Sequence, residues 1–116
     1  MKAVAMTGPG APEVLQLTDL PEPEINDPGQ VKVRLHAAGI NPIDTKLRSR
    51  GVFFENAYPV VLGCDGAGEI VEVSNAVIEF APGDRVWFCH GGLGREQGNY
   101  AEFTVIAADE IAAMPE

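Results

Sequence analysis

Glycine and proline are spread along the whole chain, and this spread most constrains what it can fold into. Thirteen glycines and nine prolines occur among 116 residues without a regular period. That composition fits short strands joined by many turns better than it fits a collagen-like or disordered chain. Since 46% of the residues are apolar, they can fill the core of one ordinary domain. We therefore predict a single folded unit that is mainly β.

The charge balance excludes some classes of partner. Seventeen acidic and eight basic residues give a formal net charge of −9, which would repel the phosphates of a nucleic acid. No apolar run approaches the roughly 20 residues of a membrane-spanning helix, and the first residues do not resemble a signal peptide. Cys64 and Cys89 are too few for a disulfide framework, although one disulfide between them stays open. We expect a cytoplasmic chain without nucleic-acid or membrane partners.

Turn-bounded apolar runs predict about seven short strands. The clearest is the segment 31–37, in which apolar and polar residues alternate as in a half-buried strand. The segment LPEPEINDPGQ at 20–30 contains three prolines and is expected to be a surface connection. The other predicted strands are Lys2–Met6, 14–17, the run after the glycines of LGCDGAGE, Arg85–Cys89, the segment NYAEFTVIA and the segment EIAAM. This series is typical of a closed or partly closed barrel.

One short helix is predicted directly after the strand at 31–37. Asn41 can serve as its N-cap, and Pro42 suits a first helical position, where the N–H needs no partner. Gly51 can end the helix, which would then cover about 43–50. The polar residues of GINPIDTKLR therefore lie at the corner between a strand and a helix.

Few side chains of this chain can carry out chemistry. Four possible zinc ligands occur as two adjacent pairs, Cys64 with Asp65 and Cys89 with His90. Neighbouring residues of a strand point to opposite faces, so at most one of each pair can reach a shared ion, and we predict no metal site. The glycines of LGCDGAGE lead into a strand, so we interpret them as close-packing positions and not as a phosphate-binding loop. His36 and His90 are both expected to be exposed to solvent.

The motifs, taken in order, resemble one known domain. MKAVAMTG, GINPIDTKLR, YPVVLGCDGAGEIVEVS, FAPGDRVW and GNYAEFTVI are similar to the N-terminal, GroES-like catalytic domain of the medium-chain dehydrogenase/reductase superfamily. The resemblance covers essentially all of 1–116 and implies a mainly β, partly open GroES-like barrel with one or two short helices. In that superfamily a Rossmann nucleotide-binding domain follows, and these residues do not contain one. We therefore expect a piece of a longer protein that alone neither binds NADPH tightly nor turns over.

Details of the resemblance indicate the zinc-free branch of the superfamily. Zinc alcohol dehydrogenases have a cysteine after AGI, where this chain has Asn41. They have Gly-His-Glu where it has Gly63, Cys64 and Asp65, and the segment HGGLGREQGNYAEF has no four-cysteine lobe. GINPIDTKLR is similar instead to NADPH-dependent quinone oxidoreductases and related enone reductases. The resemblance implies hydride transfer from NADPH to a small quinone or α,β-unsaturated carbonyl substrate, in a homodimeric full-length protein.

The same resemblance implies which residues face the nicotinamide. Asn41 and Lys46 are expected to be catalytic, because an amide and an ammonium group can donate hydrogen bonds to a carbonyl oxygen that gains negative charge. Asn41, Asp44 and Asp65 are expected to contribute to cofactor binding. Two alternatives stay open: Asp44 can cap the helix and pair with a basic side chain of the same helix, and Asp65 can cap a turn.

A non-catalytic binding or structural module is the alternative function, since the barrel also resembles the co-chaperonin fold. The segment HGGLGREQG is too polar for the mobile apolar loop of a co-chaperonin. We therefore favour the enzyme domain.

Overall fold

The computed structural model describes residues 1–54 and 57–115. In that part of the chain the strands are β1 Lys2–Met6, β2 Gln16–Asp19, β3 Gln30–Ala38, β4 Val60–Val61, β5 Asp65–Val73, β6 Arg85–Cys89, β7 Phe103–Ala107 and β8 Ala112–Ala113. One α-helix, α1, covers Pro42–Arg50, and short 3₁₀ segments cover Pro12–Val14 and Ala108–Glu110. Among these elements, none is a helix long and apolar enough to cross a membrane.

The strands form two antiparallel sheets. The smaller sheet has the order β2-β1-β4, and the larger has the order β7-β3-β5-β6-β8. The sheets meet just before β7, where Ala3 bridges to Ala101 and the N–H of Val4 donates to the carbonyl of Tyr100 at 2.7 Å. The mainly β, partly open GroES-like barrel expected from the sequence is therefore confirmed.

The alternation of β3 builds the larger core. Val31 and Val33 are fully buried between the neighbouring strands, while Arg34 is exposed. They pack with apolar residues of the same sheet, namely Ile70, Val77, Val86, Phe88, Ile106 and Ala108. A second cluster of Met6, Leu47, Val60 and Leu62 lies under α1. Because Leu47 is the apolar anchor of this helix, its packing also turns Asp44, three residues earlier, towards the interior.

Most predicted elements lie where the sequence placed them. Lys2–Met6 and Arg85–Cys89 have the predicted bounds, and the segment 20–30 connects β2 to β3 as expected. The strand predicted at 14–17 was wrong in position. Pro12 opens a 3₁₀ turn there, closed by a hydrogen bond from the N–H of Leu15 to its carbonyl at 3.1 Å, so the strand begins only afterwards.

The glycines of β5 serve close packing, as the sequence indicated. A Cβ added at Gly68 would lie 2.0 Å from the carbonyl oxygen of Arg34 on the neighbouring strand. No side chain fits at that distance, so glycine lets β3 and β5 approach each other. This pairing brings the ends of both strands to the helix that follows β3.

Candidate functional site

The corner between β3 and α1 is held by a carboxylate of the helix itself. The backbone N–H of Asn41, the N-cap residue, donates to Oδ2 of Asp44 at 2.8 Å. Asp44 is only 4% exposed, although it lies in the first helical turn. The capping role left open for Asp44 is therefore confirmed, and its negative charge suits the positive end of the helix dipole.

Tyr100, from the segment before β7, approaches the same carboxylate. Its hydroxyl donates to Oδ2 of Asp44 at 2.8 Å and lies 3.3 Å from the carbonyl oxygen of Gly39. Burial, and then the hydrogen bond and charge of Asp44, raise the pKa of Tyr100, so the phenol stays a donor. The ion pair left open between Asp44 and a basic residue of α1 is not formed, and Arg48 donates instead to the carbonyl of Gly10 at 2.7 Å.

The side chain of Asn41 is oriented by a second carboxylate. Its Nδ2 donates to Oδ2 of Asp65, the first residue of β5, at 2.8 Å. A carboxylate can only accept here, which identifies the amide nitrogen as the atom facing it. Since the amide has two N–H donors and this contact uses one, a second donor is available. Both side chains are only partly buried, and Asp65 lines an open hollow together with Gly39 and Ala67.

The structure thus brings together three of the four predicted site residues. Asn41, Asp44 and Asp65, with Tyr100, form a connected set that we call the polar corner. Lys46 lies two positions after Asp44 on α1, where side chains point in clearly different directions, and it is exposed. It forms no hydrogen bond or ion pair with the polar corner, so its catalytic role stays a prediction. Tyr100 was missed, because nothing local in NYAEF indicates a partner 56 residues earlier.

Asp65 itself lines an open hollow of about 470 Å³, and a separate cleft of about 420 Å³ lies near the polar corner without any of its four residues in the lining. Its walls include Phe54, Cys64, Cys89, His90, Leu93 and Arg95. Cys89 pairs with Asp65 across β5 and β6, which places the cleft next to the carboxylate that orients Asn41. The guanidinium of Arg95 stacks over the ring of Phe54 at 4.4 Å, a contact that the sequence did not reveal.

Cys64 and Cys89, the cleft thiols, are both free, so the disulfide left open by the sequence is not formed. Desolvation raises the pKa of both thiols. The charge of Asp44 adds to the effect on Cys64, and a hydrogen bond to Asp65 adds to the effect on Cys89. Both therefore remain neutral thiols at neutral pH.

The two histidines have different environments. His36 is exposed, as predicted. The prediction of an exposed His90 was wrong, because its side chain is only 21% exposed and lies between two carboxylates. Its Nε2 is 2.5 Å from Oε2 of Glu96, and its Nδ1 is 3.2 Å from Oε2 of Glu110. The 3₁₀ segment after β7 brings Glu110 to the ring, which sequence spacing alone did not show.

The donor set at the polar corner does not fit a zinc ion. The amide of Asn41 directs an N–H towards Asp65, so a hydrogen and not a lone pair lies between them. Within 1–54 and 57–115, no group of three or more histidine, cysteine, aspartate or glutamate side chains is arranged to hold a metal ion.

Two antiparallel sheets, with a capped helix presenting polar side chains beside a cleft, define a GroES-like domain of the medium-chain dehydrogenase/reductase superfamily. The chain belongs to the alcohol dehydrogenase GroES-like domain family, which matches residues 27–116, and within it to the quinone oxidoreductase branch.

Three individual relatives support this assignment. Quinone oxidoreductase of Mus musculus is 39% identical over 119 residues, covering 100% of this chain and 34% of the relative. The structure of the quinone oxidoreductase from Coxiella burnetii matches with a TM-score of 0.90 at 35% identity, over 100% of this chain and 37% of that one. Escherichia coli quinone oxidoreductase complexed with NADPH matches with a TM-score of 0.83 at 32% identity, over 99% and 33%. The chain therefore spans about a third of the length of these relatives.

Proposed function

We propose that this chain is the substrate-side domain of an NADPH-dependent, zinc-independent oxidoreductase that reduces quinones or α,β-unsaturated carbonyl compounds by hydride transfer. The observation that carries the proposal is the hydrogen bond from Asn41 Nδ2 to Asp65 Oδ2, which leaves a second amide donor on a partly exposed side chain. The quinone oxidoreductase relatives support the substrate class, and the relative complexed with NADPH supports the cofactor.

The polar corner supplies one part of the chemistry. Bound NADPH would supply the hydride, and the carbonyl oxygen of the substrate would then gain negative charge. The second N–H of Asn41 donates to that oxygen, while Asp65 fixes the plane of the amide. A donor that is already oriented needs no reorganisation as the charge develops, so it stabilises the transition state more than the ground state.

The cofactor would contact this chain at few points. Asn41 and Asp65 are partly exposed and can bind the nicotinamide, whereas Asp44 is buried and contributes by holding the backbone of Asn41. Within the described residues, the glycines of β5 lie in a strand and not before a helix N-terminus, so they are not arranged to bind a pyrophosphate. We propose that a Rossmann domain of the longer protein binds most of NADPH, and that these 116 residues alone are inactive.

Zinc independence rests on the chemistry of the donor set. The amide of Asn41 directs an N–H, and not a lone pair, at the carboxylate of Asp65. Lys46 remains a candidate second donor to the substrate, from the exposed face of α1. The proposal further includes a homodimeric, cytoplasmic full-length protein without nucleic-acid or membrane partners.

Assays of the full-length protein test this proposal. NADPH and NADH oxidation are measured with a quinone and with an enone, before and after treatment with a zinc chelator. We expect NADPH-dependent reduction that survives chelation. Asn41→Ala should lower kcat by about 100-fold, as removal of an oxyanion donor does, while the exposed control Asn75→Ala should not. Activity that disappears with chelation and returns with zinc would contradict the proposal, as would equal kcat values for the two variants.

A titration tests the cofactor assignment separately. NADPH fluorescence is followed as the 116-residue chain is added, and no saturable binding in the micromolar range is expected. Tight binding to this chain would show that its own residues hold the cofactor.

A further inference from the structure

We propose that Tyr100 and Asp44 are positioning residues that fix Asn41, the donor assigned to the substrate oxygen. This inference rests on the proposed function for its catalytic consequence. Its structural part rests on the shared acceptor, because Oδ2 of Asp44 receives both the Tyr100 hydroxyl and the Asn41 backbone N–H at 2.8 Å.

Two contacts fix Asn41, one at its side chain and one at its backbone. Asp65 holds the side-chain amide, and Asp44 holds the backbone N–H of the same residue. The first contact sets the plane of the amide, and the second sets where its Cα lies. Both are needed to direct the remaining N–H, since a small displacement of an oriented donor strongly reduces its effect on a developing charge.

The burial of Asp44 makes Tyr100 more than an incidental neighbour. Asp44 is 4% exposed, and its Oδ1 has no hydrogen-bond partner within the described residues. A buried carboxylate with few donors is costly, so each donor to Oδ2 keeps it in place. Without the Tyr100 hydroxyl, the carboxylate would turn towards solvent and release the N–H of Asn41.

The fold places Tyr100 with little freedom. Its N–H donates to the carbonyl of Leu62 at 3.2 Å, and its carbonyl accepts from Val4 of the smaller sheet at 2.7 Å. Its ring packs on Gly63, where an added Cβ would lie 2.8 Å from two ring carbons. The backbone of Tyr100 is therefore anchored to the smaller sheet and to the segment after β4, and this fixes where its phenol meets the polar corner.

The structural part is tested by NMR on the ¹⁵N-labelled 116-residue chain. In Tyr100→Phe, we expect the Asn41 backbone amide proton to shift upfield and its exchange with solvent to become about tenfold faster. The reason is that the carboxylate of Asp44 loses one of its donors, which weakens its charge-assisted hydrogen bond with the Asn41 N–H. Tyr58→Phe is the matched control, because that hydroxyl instead accepts from the N–H of Val52 at 3.2 Å. If the Asn41 signals respond equally in both variants, or in neither, the positioning role is overturned.

A second variant covers the case in which Tyr100→Phe does not fold. Asp44→Asn keeps the shape of the side chain but removes its charge, so it should weaken the same two hydrogen bonds. The same upfield shift of the Asn41 amide is expected. Unchanged Asn41 signals in a folded Asp44→Asn chain would overturn the inference.

The catalytic part is tested in the full-length protein. Tyr100→Phe should lower kcat for quinone reduction about tenfold while KM changes less than about twofold, because it misplaces a donor that acts mainly in the transition state. A rise in KM with unchanged kcat would overturn the positioning role. If the Asn41 signals change as expected but the full-length protein reduces no quinone or enone, the structural part stands and the proposed function fails.

Discussion

Replacing Asn41 by aspartate should set two carboxylates against each other at the polar corner. The side-chain nitrogen of Asn41 lies 2.8 Å from Oδ2 of Asp65, so Asn41→Asp would substitute an acceptor for a donor at that distance. Two unit charges 2.8 Å apart repel by about 1.5 kcal/mol in bulk water and by about 6 kcal/mol at an effective dielectric constant of about 20. Since both side chains are partly exposed, the repulsion lies between these limits.

Protonation limits this penalty. Keeping a carboxyl with an ordinary pKa of about 3.9 protonated at neutral pH costs about 4 kcal/mol, so a pair with stronger repulsion takes up a proton instead. We therefore expect Asn41→Asp to lose about 2–4 kcal/mol of unfolding free energy at neutral pH.

The pH dependence follows from the sign of the shift. The folded variant holds a proton more tightly than its unfolded chain, so its penalty is largest above the raised pKa of the folded state. Below the ordinary carboxyl pKa of about 3.9, both states are protonated and the penalty disappears. The stability difference from wild type should therefore shrink as the pH falls from 7 towards 4.

Urea unfolding at several pH values measures this difference. Asn75→Asp, at an exposed turn position, is the matched control and should change stability by less than about 0.5 kcal/mol at every pH. If Asn41→Asp is as stable as wild type at neutral pH, the side chains of Asn41 and Asp65 are not in contact. A loss of stability that does not vary with pH would refute the electrostatic reasoning.

Three further predictions concern the same region. Gly63→Ala should lower the free energy of unfolding, measured with urea, by about 2–4 kcal/mol. Gly63 has a positive φ, and an added Cβ would contact the ring of Tyr100. Gly83 also has a positive φ but lies in open space, so Gly83→Ala should lose only the unfolding free energy that is due to backbone strain. Equal losses of unfolding free energy in the two variants would refute the ring contact. Lys46→Met should lower kcat of the full-length protein about tenfold if its ammonium donates to substrate, whereas Arg50→Met on the same helix should not, and equal rates would contradict that role. Since desolvation raises the pKa of the cleft thiols, their alkylation by iodoacetamide should accelerate at higher pH than that of a free thiol peptide. Alkylation as fast as the peptide's at neutral pH would contradict this.

The helix at the polar corner was predictable because its signals are local. Asn41, Pro42 and Gly51 act through their own backbone conformations, and they gave a helix within one residue of Pro42–Arg50. The contacts of that helix are long-range. Asp65 lies 24 residues from Asn41, and these residues meet only through the pairing of β3 with β5, which has two register irregularities. Alternation in a sequence does not reveal such irregularities, so this contact was not predicted, although the family resemblance had placed both residues at the cofactor site.

The environment of His90 was missed for a related reason. Its two carboxylate partners come from the loop before β7 and from the 3₁₀ segment after it. Neither has a fixed spacing to the histidine in the sequence. A glycine-rich neighbourhood predicted exposure, but the positive φ angles of Gly91, Gly92 and Gly94 instead bend the loop back over the ring.

The polar corner combines elements that would not be stable separately. A nine-residue helix is too short to persist in water, so α1 depends on Leu47 and the apolar cluster beneath it. That same packing buries Asp44, which then requires donors, and they come from Asn41 and from Tyr100 at the junction of the two sheets. The packing of Leu47 therefore leads to the burial of Asp44, and the burial of Asp44 requires the two hydrogen-bond donors. The orientation of one amide at the surface is consequently set by how both sheets close, which explains why a chain with so few reactive groups devotes a buried carboxylate and a partly buried phenol to it.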